Sequence, residues 1–125
     1  MNSEQLRRQT ILLVEDDAML RGILAQALAD EGHSVLTAAD GEEALAIAST
    51  LDGQLGLLVI DLMLPLMDGL ELADHLTQLN RPPPMLFISG LRTNRQLPGP
   101  MLVKPFGPGT FLEQVGRMLQ TVQPH

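Results

Sequence analysis

Short apolar runs alternate with segments of helical periodicity along most of the chain. The apolar runs cover residues 11–14, 34–37, 57–60, 85–89 and 101–103. Between them, apolar residues recur at spacings of three and four, which is typical of helices that connect short strands. The alternation therefore predicts βαβ units, a parallel sheet of about five strands and an α/β fold.

Polar residues, glycine and proline between the runs predict where the helices begin and end. Asp40 is placed as the cap of a second helix, and a third helix is predicted to begin near Asp68. The prolines at 82–84 should end that third helix, because proline lacks the backbone N–H that a helix needs. A last helix is predicted to begin at Gly107 and Pro108.

The segment between the fourth and fifth runs is short and rich in helix breakers. It reads Gly-Leu-Arg-Thr-Asn-Arg-Gln-Leu-Pro-Gly-Pro, residues 90–100. That leaves room for at most a turn or two of helix. Helix four, which a regular alternation would place here, is predicted to be shortened or missing.

Length and composition limit the class of protein. The chain has 125 residues, which predicts a single domain over residues 1–125 with a core from about 9 to 122. It has no cysteine, so a metal would have to be held by oxygen or by histidine. The apolar runs are far shorter than the roughly 20 residues that cross a bilayer, and the first ten residues do not resemble a leader. We expect an unprocessed cytoplasmic protein without membrane insertion.

The charge distribution argues against direct nucleic-acid binding. The net charge is −7, and the eight basic residues are scattered along the chain. Nucleic-acid binding needs a concentrated positive patch, and only three phenylalanines are present for base stacking. Proteins are therefore the expected partners.

Charged and hydroxyl side chains stand where the predicted strands end. The acidic segment 15–17 follows the first strand, Asp61 the third, Ser89 the fourth, and Lys104, the only lysine, the fifth. In an open parallel sheet, ligands bind at the carboxyl ends of the strands. We expect these residues to form one site, although Asp16, Asp17 and Asp68 also suit helix caps.

Four motifs in this order resemble the receiver domain of two-component response regulators. They are an acidic pair after strand one, Asp-x-x-x-Pro-x-x-Asp-Gly from Asp61 to Gly69, Ser89 after strand four, and Lys-Pro-Phe from Lys104. The resemblance covers nearly the whole chain. It implies a flavodoxin-like, doubly wound sheet of five parallel strands in the order 2-1-3-4-5.

The resemblance also implies a phosphoacceptor and a magnesium site. Asp61 would be the nucleophile that accepts a phosphoryl group, since an ionised carboxylate needs no base. Glu15, Asp16, Asp61 and the backbone carbonyl of Met63 would bind Mg²⁺, a hard cation that prefers oxygen ligands. Phosphoacceptance of this kind does not turn over a separate substrate, so the protein is not expected to be an enzyme.

Two further residues would contact the phosphoryl group. Lys104 would pair with one phosphoryl oxygen, and the Ser89 hydroxyl would donate to another. Similar domains commonly have a cis bond before the proline that follows this lysine, here Pro105. The implied phosphodonor is a histidine kinase or a histidine phosphotransfer protein.

Three features depart from the usual receiver pattern. The switch position three residues before Lys104 is usually aromatic, and here it is Met101. The spacing from Ser89 to Lys104 is short, which removes most of helix four. Met63 and Leu91 occupy the positions that tune phosphoryl lifetime, and both are apolar, which predicts slow self-dephosphorylation.

Several alternatives remain open from the sequence. The chain is either a stand-alone receiver or a receiver excised from a hybrid histidine kinase. A phosphorylation-independent, receiver-like interaction domain is the main alternative function. A phosphohydrolase would need Asp-x-Asp after strand one, and a flavin module would need a hydroxyl- and glycine-rich loop there; neither is present.

Overall fold

A computed structural model describes residues 10–122 and shows five strands and four helices in that range. The predicted domain limits of 1–125 and the start of the core near residue 9 extend beyond the described residues. In chain order the elements are β1 Thr10–Val14, α1 Ala18–Asp30, β2 Ser34–Ala38, α2 Gly41–Thr50, β3 Leu55–Asp61, α3 Gly69–Leu76, β4 Met85–Ser89, β5 Met101–Val103 and α4 Pro108–Val122.

All five strands are parallel and form one sheet in the order β2-β1-β3-β4-β5. This order confirms the predicted doubly wound α/β fold. The chain runs outward from β1 to β2, returns to β3 and continues to β5, so the direction of winding reverses between β1 and β3. The carboxyl ends of these two central strands therefore flank the crevice where ligands bind in folds of this kind.

The helices cover both faces of the sheet, because successive strand side chains point to opposite sides. Every residue of β3 and β4 is buried. Leu12 and Leu58 belong to an apolar cluster shared with α2 and α3, whereas Leu13 and Val59 belong to a cluster shared with α1 and α4. The central strands are therefore fixed from both sides, which makes their ends a rigid platform.

Aspartates cap the first three helices. Asp17 accepts hydrogen bonds from the N–H groups of Met19 and Leu20, and Asp40 and Asp68 each accept one from the residue three positions on. The predicted caps at Asp40 and Asp68 are confirmed, and Asp17 is a cap rather than a member of the acidic site. The third helix ends at Leu76, well before the prolines, so the prediction that proline terminates it was wrong.

No helix lies between β4 and β5, which confirms the prediction for helix four. Leu97 in this segment packs against the same apolar cluster as Met101. Gly99 lies so close to β4 that an added Cβ would be 2.0 Å from the Met85 carbonyl oxygen. A closely packed loop therefore takes the place of the missing helix.

Within residues 10–122, none of the helices combines the length and the apolar character that a membrane span requires.

Candidate functional site

The carboxylates predicted from the strand ends meet at one point. Glu15, Asp16 and Asp61 each offer a carboxylate oxygen, and these oxygens all lie within 4.8 Å of one another. The sheet brings two of them together, because Val14 is paired with Ile60 and the residue that follows each of these along the chain is a site carboxylate. Glu15 and Asp61 are buried, whereas Asp16 is exposed.

Lys104 is the cation that pairs with the two buried carboxylates. Its Nζ donates to Asp61 Oδ2 at 2.7 Å and to Glu15 Oε1 at 3.1 Å. The lysine side chain remains 29% exposed, so its ammonium group lies between the buried carboxylates and solvent. A cis peptide bond joins Lys104 to Pro105, as predicted.

Burial and mutual charge shift the pKa values in this group. Burial, reinforced by the neighbouring Asp61 carboxylate, raises the pKa of Glu15 to about 7, although the Asp17 N–H and Lys104 act in the opposite direction. For Lys104, burial acts to lower the pKa, but the hydrogen bonds and charges of Asp61 and Glu15 outweigh it and raise the pKa. The lysine is therefore charged at neutral pH.

The raised pKa of Glu15 predicts a pH-dependent stability in the absence of metal. Between the ordinary pKa of 4.5 and about 7, the unfolded chain loses the Glu15 proton while the folded protein keeps it. The free energy of unfolding should therefore fall as pH rises through this window, by at most about 3 kcal/mol from this group. Chemical denaturation in EDTA at several pH values, on the wild type and Glu15→Gln, measures the difference. A difference between the two proteins that does not change with pH would contradict the prediction.

Backbone groups hold the two buried carboxylates in place. Asp61 Oδ1 accepts a hydrogen bond from the Met63 N–H at 2.8 Å, and Glu15 Oε2 accepts one from the Asp17 N–H at 3.1 Å. For Met63, the structure therefore places the N–H against the site. The predicted contribution of its carbonyl oxygen to metal binding stays a prediction.

The donor set fits a magnesium ion. The three clustered carboxylates supply oxygen ligands only, and two of them are held by backbone hydrogen bonds. Hard divalent cations prefer such ligands, and the excess of negative charge over the single lysine favours a cation. Glu15, Asp16 and Asp61 are therefore the residues that could hold it.

Ser89 lies at the same edge of the sheet, at the end of β4, and is only 3% exposed. Its Oγ accepts a hydrogen bond from the Leu91 N–H at 3.2 Å, and its carbonyl accepts one from the Lys104 N–H at 2.7 Å. The neighbouring Ile88 is paired with Asp61 across the sheet. Ser89 is therefore the residue that follows the strand partner of Asp61, and its hydroxyl contacts the turn at Leu91.

Three exposed apolar side chains belong to the loops at this edge. Met63 is 64% exposed, Leu91 is 69% exposed and Leu66 is 92% exposed. Leu66 has a φ of 68°, a left-handed conformation that is unusual for a leucine. The sequence pattern pointed to Met63 and Leu91 but not to Leu66, because an apolar residue between Pro65 and Met67 gives no sign of its backbone conformation.

Gly69 was also missed as a determinant of the site, although it stands in the motif. A Cβ at this position would lie 2.4 Å from the Asp61 carbonyl oxygen and 2.7 Å from the Leu62 Cα. Its N–H donates to the Leu62 carbonyl oxygen at 3.0 Å, which ties the start of α3 to the end of β3. The glycine therefore allows the helix to begin directly against the backbone of Asp61.

Replacing Gly69 with Ala should lower the free energy of unfolding by about 2 kcal/mol, because the new methyl group meets backbone that cannot rotate away. Gly22→Ala is the matched control, since Gly22 is a helical glycine with no atom within 4 Å of an added Cβ. That substitution should raise the free energy of unfolding by up to about 1 kcal/mol. Urea denaturation of both variants checks the pair, and equal effects would contradict the close packing of Gly69.

Arg21 is a further residue that sequence reasoning missed. Its guanidinium Nη1 donates to the carbonyl oxygen of Glu15 at 2.9 Å and to that of Asp16 at 3.4 Å. Its position in the sequence, near the start of the predicted first helix, could have indicated this contact. A cation near the amino end of a helix opposes the helix dipole and calls for a compensating contact.

Comparison with known proteins finds a matching family and related chains. The family described as the response regulator receiver domain matches residues 11–98. The chain is similar to the transcriptional regulatory protein CpxR of Klebsiella pneumoniae, with 35% identity over 88% of this chain and 49% of CpxR. It is also similar to the sensor kinase CckA of Brucella abortus, with 35% identity over 89% of this chain and 12% of CckA.

Solved structures show the same fold. The receiver domain from the hybrid histidine kinase CckA has 39% sequence identity and a TM-score of 0.81, and the match covers 89% of this chain and 99% of that domain. The chain spans about half the length of transcriptional regulatory relatives such as CpxR.

Proposed function

Because the chain belongs to the response regulator receiver domain family, we propose that Asp61 accepts a phosphoryl group from a phosphohistidine in a Mg²⁺-dependent reaction. The observation that carries the proposal is the grouping of Asp61 with Glu15, Asp16 and Lys104 at the ends of three strands. The three carboxylates can bind a metal cation, and the metal and the lysine can then pair with the negatively charged phosphoryl oxygens.

The transfer needs no proton acceptor on this chain. A carboxylate oxygen of Asp61 attacks the phosphorus, and the bond from phosphorus to the histidine nitrogen breaks. The electron pair of that bond returns to the imidazole of the donor, and an aspartyl phosphate forms. A Mg²⁺ ion held by Glu15, Asp16 and Asp61 would neutralise negative charge and align the phosphoryl oxygens.

Lys104 and Ser89 contribute the remaining contacts. The Lys104 ammonium already lies 2.7 Å from Asp61 Oδ2, so it can pair with a phosphoryl oxygen attached to that carboxylate. The Ser89 hydroxyl has its own hydrogen to donate while its oxygen accepts from Leu91. Rotation of this hydroxyl towards the phosphoryl group would couple phosphorylation to the loop that follows β4.

The experiment that tests the proposal uses acetyl phosphate as a small donor. The protein is incubated with it in Mg²⁺ or in EDTA, and the intact mass is followed over time. A single phosphoryl increment that requires Mg²⁺ is the expected result. Absence of any increment, with acetyl phosphate and with a phosphorylated histidine phosphotransfer protein, would overturn the proposal and favour the phosphorylation-independent interaction domain.

The proposed partner is a histidine kinase or a histidine phosphotransfer protein in the cytoplasm. Similarity to CckA, a sensor kinase, and to CpxR, a transcriptional regulatory protein, supports both placements of the chain, as part of a kinase or as a regulator. An apolar groove of about 330 Å³ lies between α1 and the segment after β5 and borders Lys104. A donor that reaches Asp61 from this side would cover Met19, which is 76% exposed.

The exposed apolar residues beside the site support a long-lived phosphoryl group. Met63 and Leu91 lie beside the site, and neither side chain carries an amide, hydroxyl or charged group that could orient an attacking water. We expect slow self-dephosphorylation, and several-fold faster loss in Met63→Gln and Leu91→Gln. Decay of the phosphorylated mass after removal of the donor measures the rate.

Leu36→Gln is the control for these two variants, because Leu36 is a partly exposed leucine on β2. Its phosphoryl lifetime should match that of the wild type. Rapid decay of the wild type, unchanged by either polar substitution, would contradict the prediction.

A further inference from the structure

Arg21 is the fourth residue of α1 and reaches back to the acidic segment that precedes the helix. A single nitrogen, Nη1, donates to two successive carbonyl oxygens, those of Glu15 and Asp16. The helix itself is already capped by Asp17, so the arginine is not needed for that purpose. Its position also opposes the helix dipole, so the contact with the two carbonyls is the interaction that favours an arginine here.

We infer that Arg21 is a positioning residue for the metal ligands Glu15 and Asp16, an inference that rests on the proposed function. The Glu15 backbone is held on its other side, where its N–H donates to the Ala38 carbonyl oxygen at 3.0 Å. Asp16 has less support, because its exposed carboxylate makes no hydrogen bond within residues 10–122. The backbone therefore sets where the Asp16 carboxylate lies, and Arg21 restrains that backbone.

Positioning and simple charge predict opposite effects on Mg²⁺ binding. Replacing Arg21 with Met removes a positive charge next to the carboxylates, which by charge alone would strengthen binding of a cation. Loss of the two carbonyl contacts would instead let the ligands move, and residues that orient metal ligands typically contribute 10-fold to 100-fold in affinity. We expect Mg²⁺ to bind Arg21→Met about tenfold more weakly than the wild type.

Isothermal titration calorimetry with MgCl₂ on the full chain, at constant ionic strength, measures these affinities. Arg21→Lys keeps the charge but lacks the planar guanidinium, so its affinity should lie between those of the wild type and Arg21→Met. Arg117→Met is the matched control, because Arg117 pairs with Glu113 on α4 and its loss changes the net charge equally. Equal or tighter Mg²⁺ binding by Arg21→Met would overturn the inference.

A second readout separates positioning from a purely structural role. At saturating Mg²⁺, Arg21→Met should be phosphorylated by acetyl phosphate at nearly the wild-type rate, because the metal restores the arrangement of its ligands. A rate that stays low at saturating Mg²⁺ would count against positioning. Denaturation in EDTA shows whether Arg21→Met is folded. If it is not folded, the Mg²⁺ titration is repeated with Arg21→Gln, which retains an amide donor.

Failure of the proposed function would look different. A wild type that neither binds Mg²⁺ nor takes up a phosphoryl group would overturn the proposed function and the role of Arg21 together. If the wild type binds Mg²⁺ and takes up a phosphoryl group, and Arg21→Met and Arg21→Gln bind Mg²⁺ as tightly as the wild type, only the role of Arg21 is overturned.

Discussion

Asp61→Asn should take up no phosphoryl group from acetyl phosphate or from a phosphorylated histidine protein. An amide oxygen carries no negative charge, so the substitution removes the nucleophile without changing the shape of the side chain. It also removes one of the three carboxylates that could hold the metal. Intact mass spectrometry in Mg²⁺ should show a complete loss of the phosphoryl increment.

Two other aspartates near the site provide matched controls. Asp17 and Asp68 cap α1 and α3, and Asn is an equally good cap, so Asp17→Asn and Asp68→Asn should remain folded. Both should still be phosphorylated, because neither carboxylate belongs to the group around Lys104. A phosphoryl increment that persists in Asp61→Asn would move the acceptor to another residue and contradict the assignment.

Lys104→Met should destabilise the metal-free protein by about 3 kcal/mol, the lower end of the range for removing one partner of a buried ion pair. The lysine is hydrogen-bonded to both Glu15 and Asp61, whose side chains are at most 2% exposed. Without it, two neighbouring carboxylates lack their cation, and proton uptake by Glu15 limits the loss at low pH. Urea denaturation at pH 8 in EDTA measures the effect.

Mg²⁺ should restore more stability to Lys104→Met than it adds to the wild type. The lysine occupies Asp61 Oδ2 in the absence of metal, so its removal leaves that oxygen free for a cation. A ligand that binds only the folded state stabilises it in proportion to the logarithm of its concentration over its Kd. Denaturation of both proteins at matched Mg²⁺ concentrations gives the comparison.

Arg117→Met is the control for the loss of one positive charge. Its pair with Glu113 is exposed, and exposed pairs contribute at most about 1 kcal/mol. If Lys104→Met lowered the free energy of unfolding no more than Arg117→Met, the buried carboxylates would not depend on the lysine. The prediction would then be wrong.

The sequence by itself determined the succession of strands and helices along the chain and the residues that stand at the strand ends. Apolar runs separated by helical periodicity identified all five strands, and the short segment before Met101 indicated the missing helix. These features are local, because an element's period and its caps are set by residues within a few positions of one another. Carboxyl ends of parallel strands share an edge, so Glu15, Asp61 and Lys104 could be assigned to one site from the sequence.

Only the tertiary structure decided how the residues of the site contact one another. Lys104 pairs with carboxylates 43 and 89 positions earlier in the chain, which requires the sheet order and the path of the loop after β5. The support from Arg21 and the close approach of Gly69 to Asp61 also depend on how a helix is placed against a strand end. Periodicity predicts which elements form, but distances of about 3 Å are set by packing between elements, where one side chain or one Cβ decides the contact.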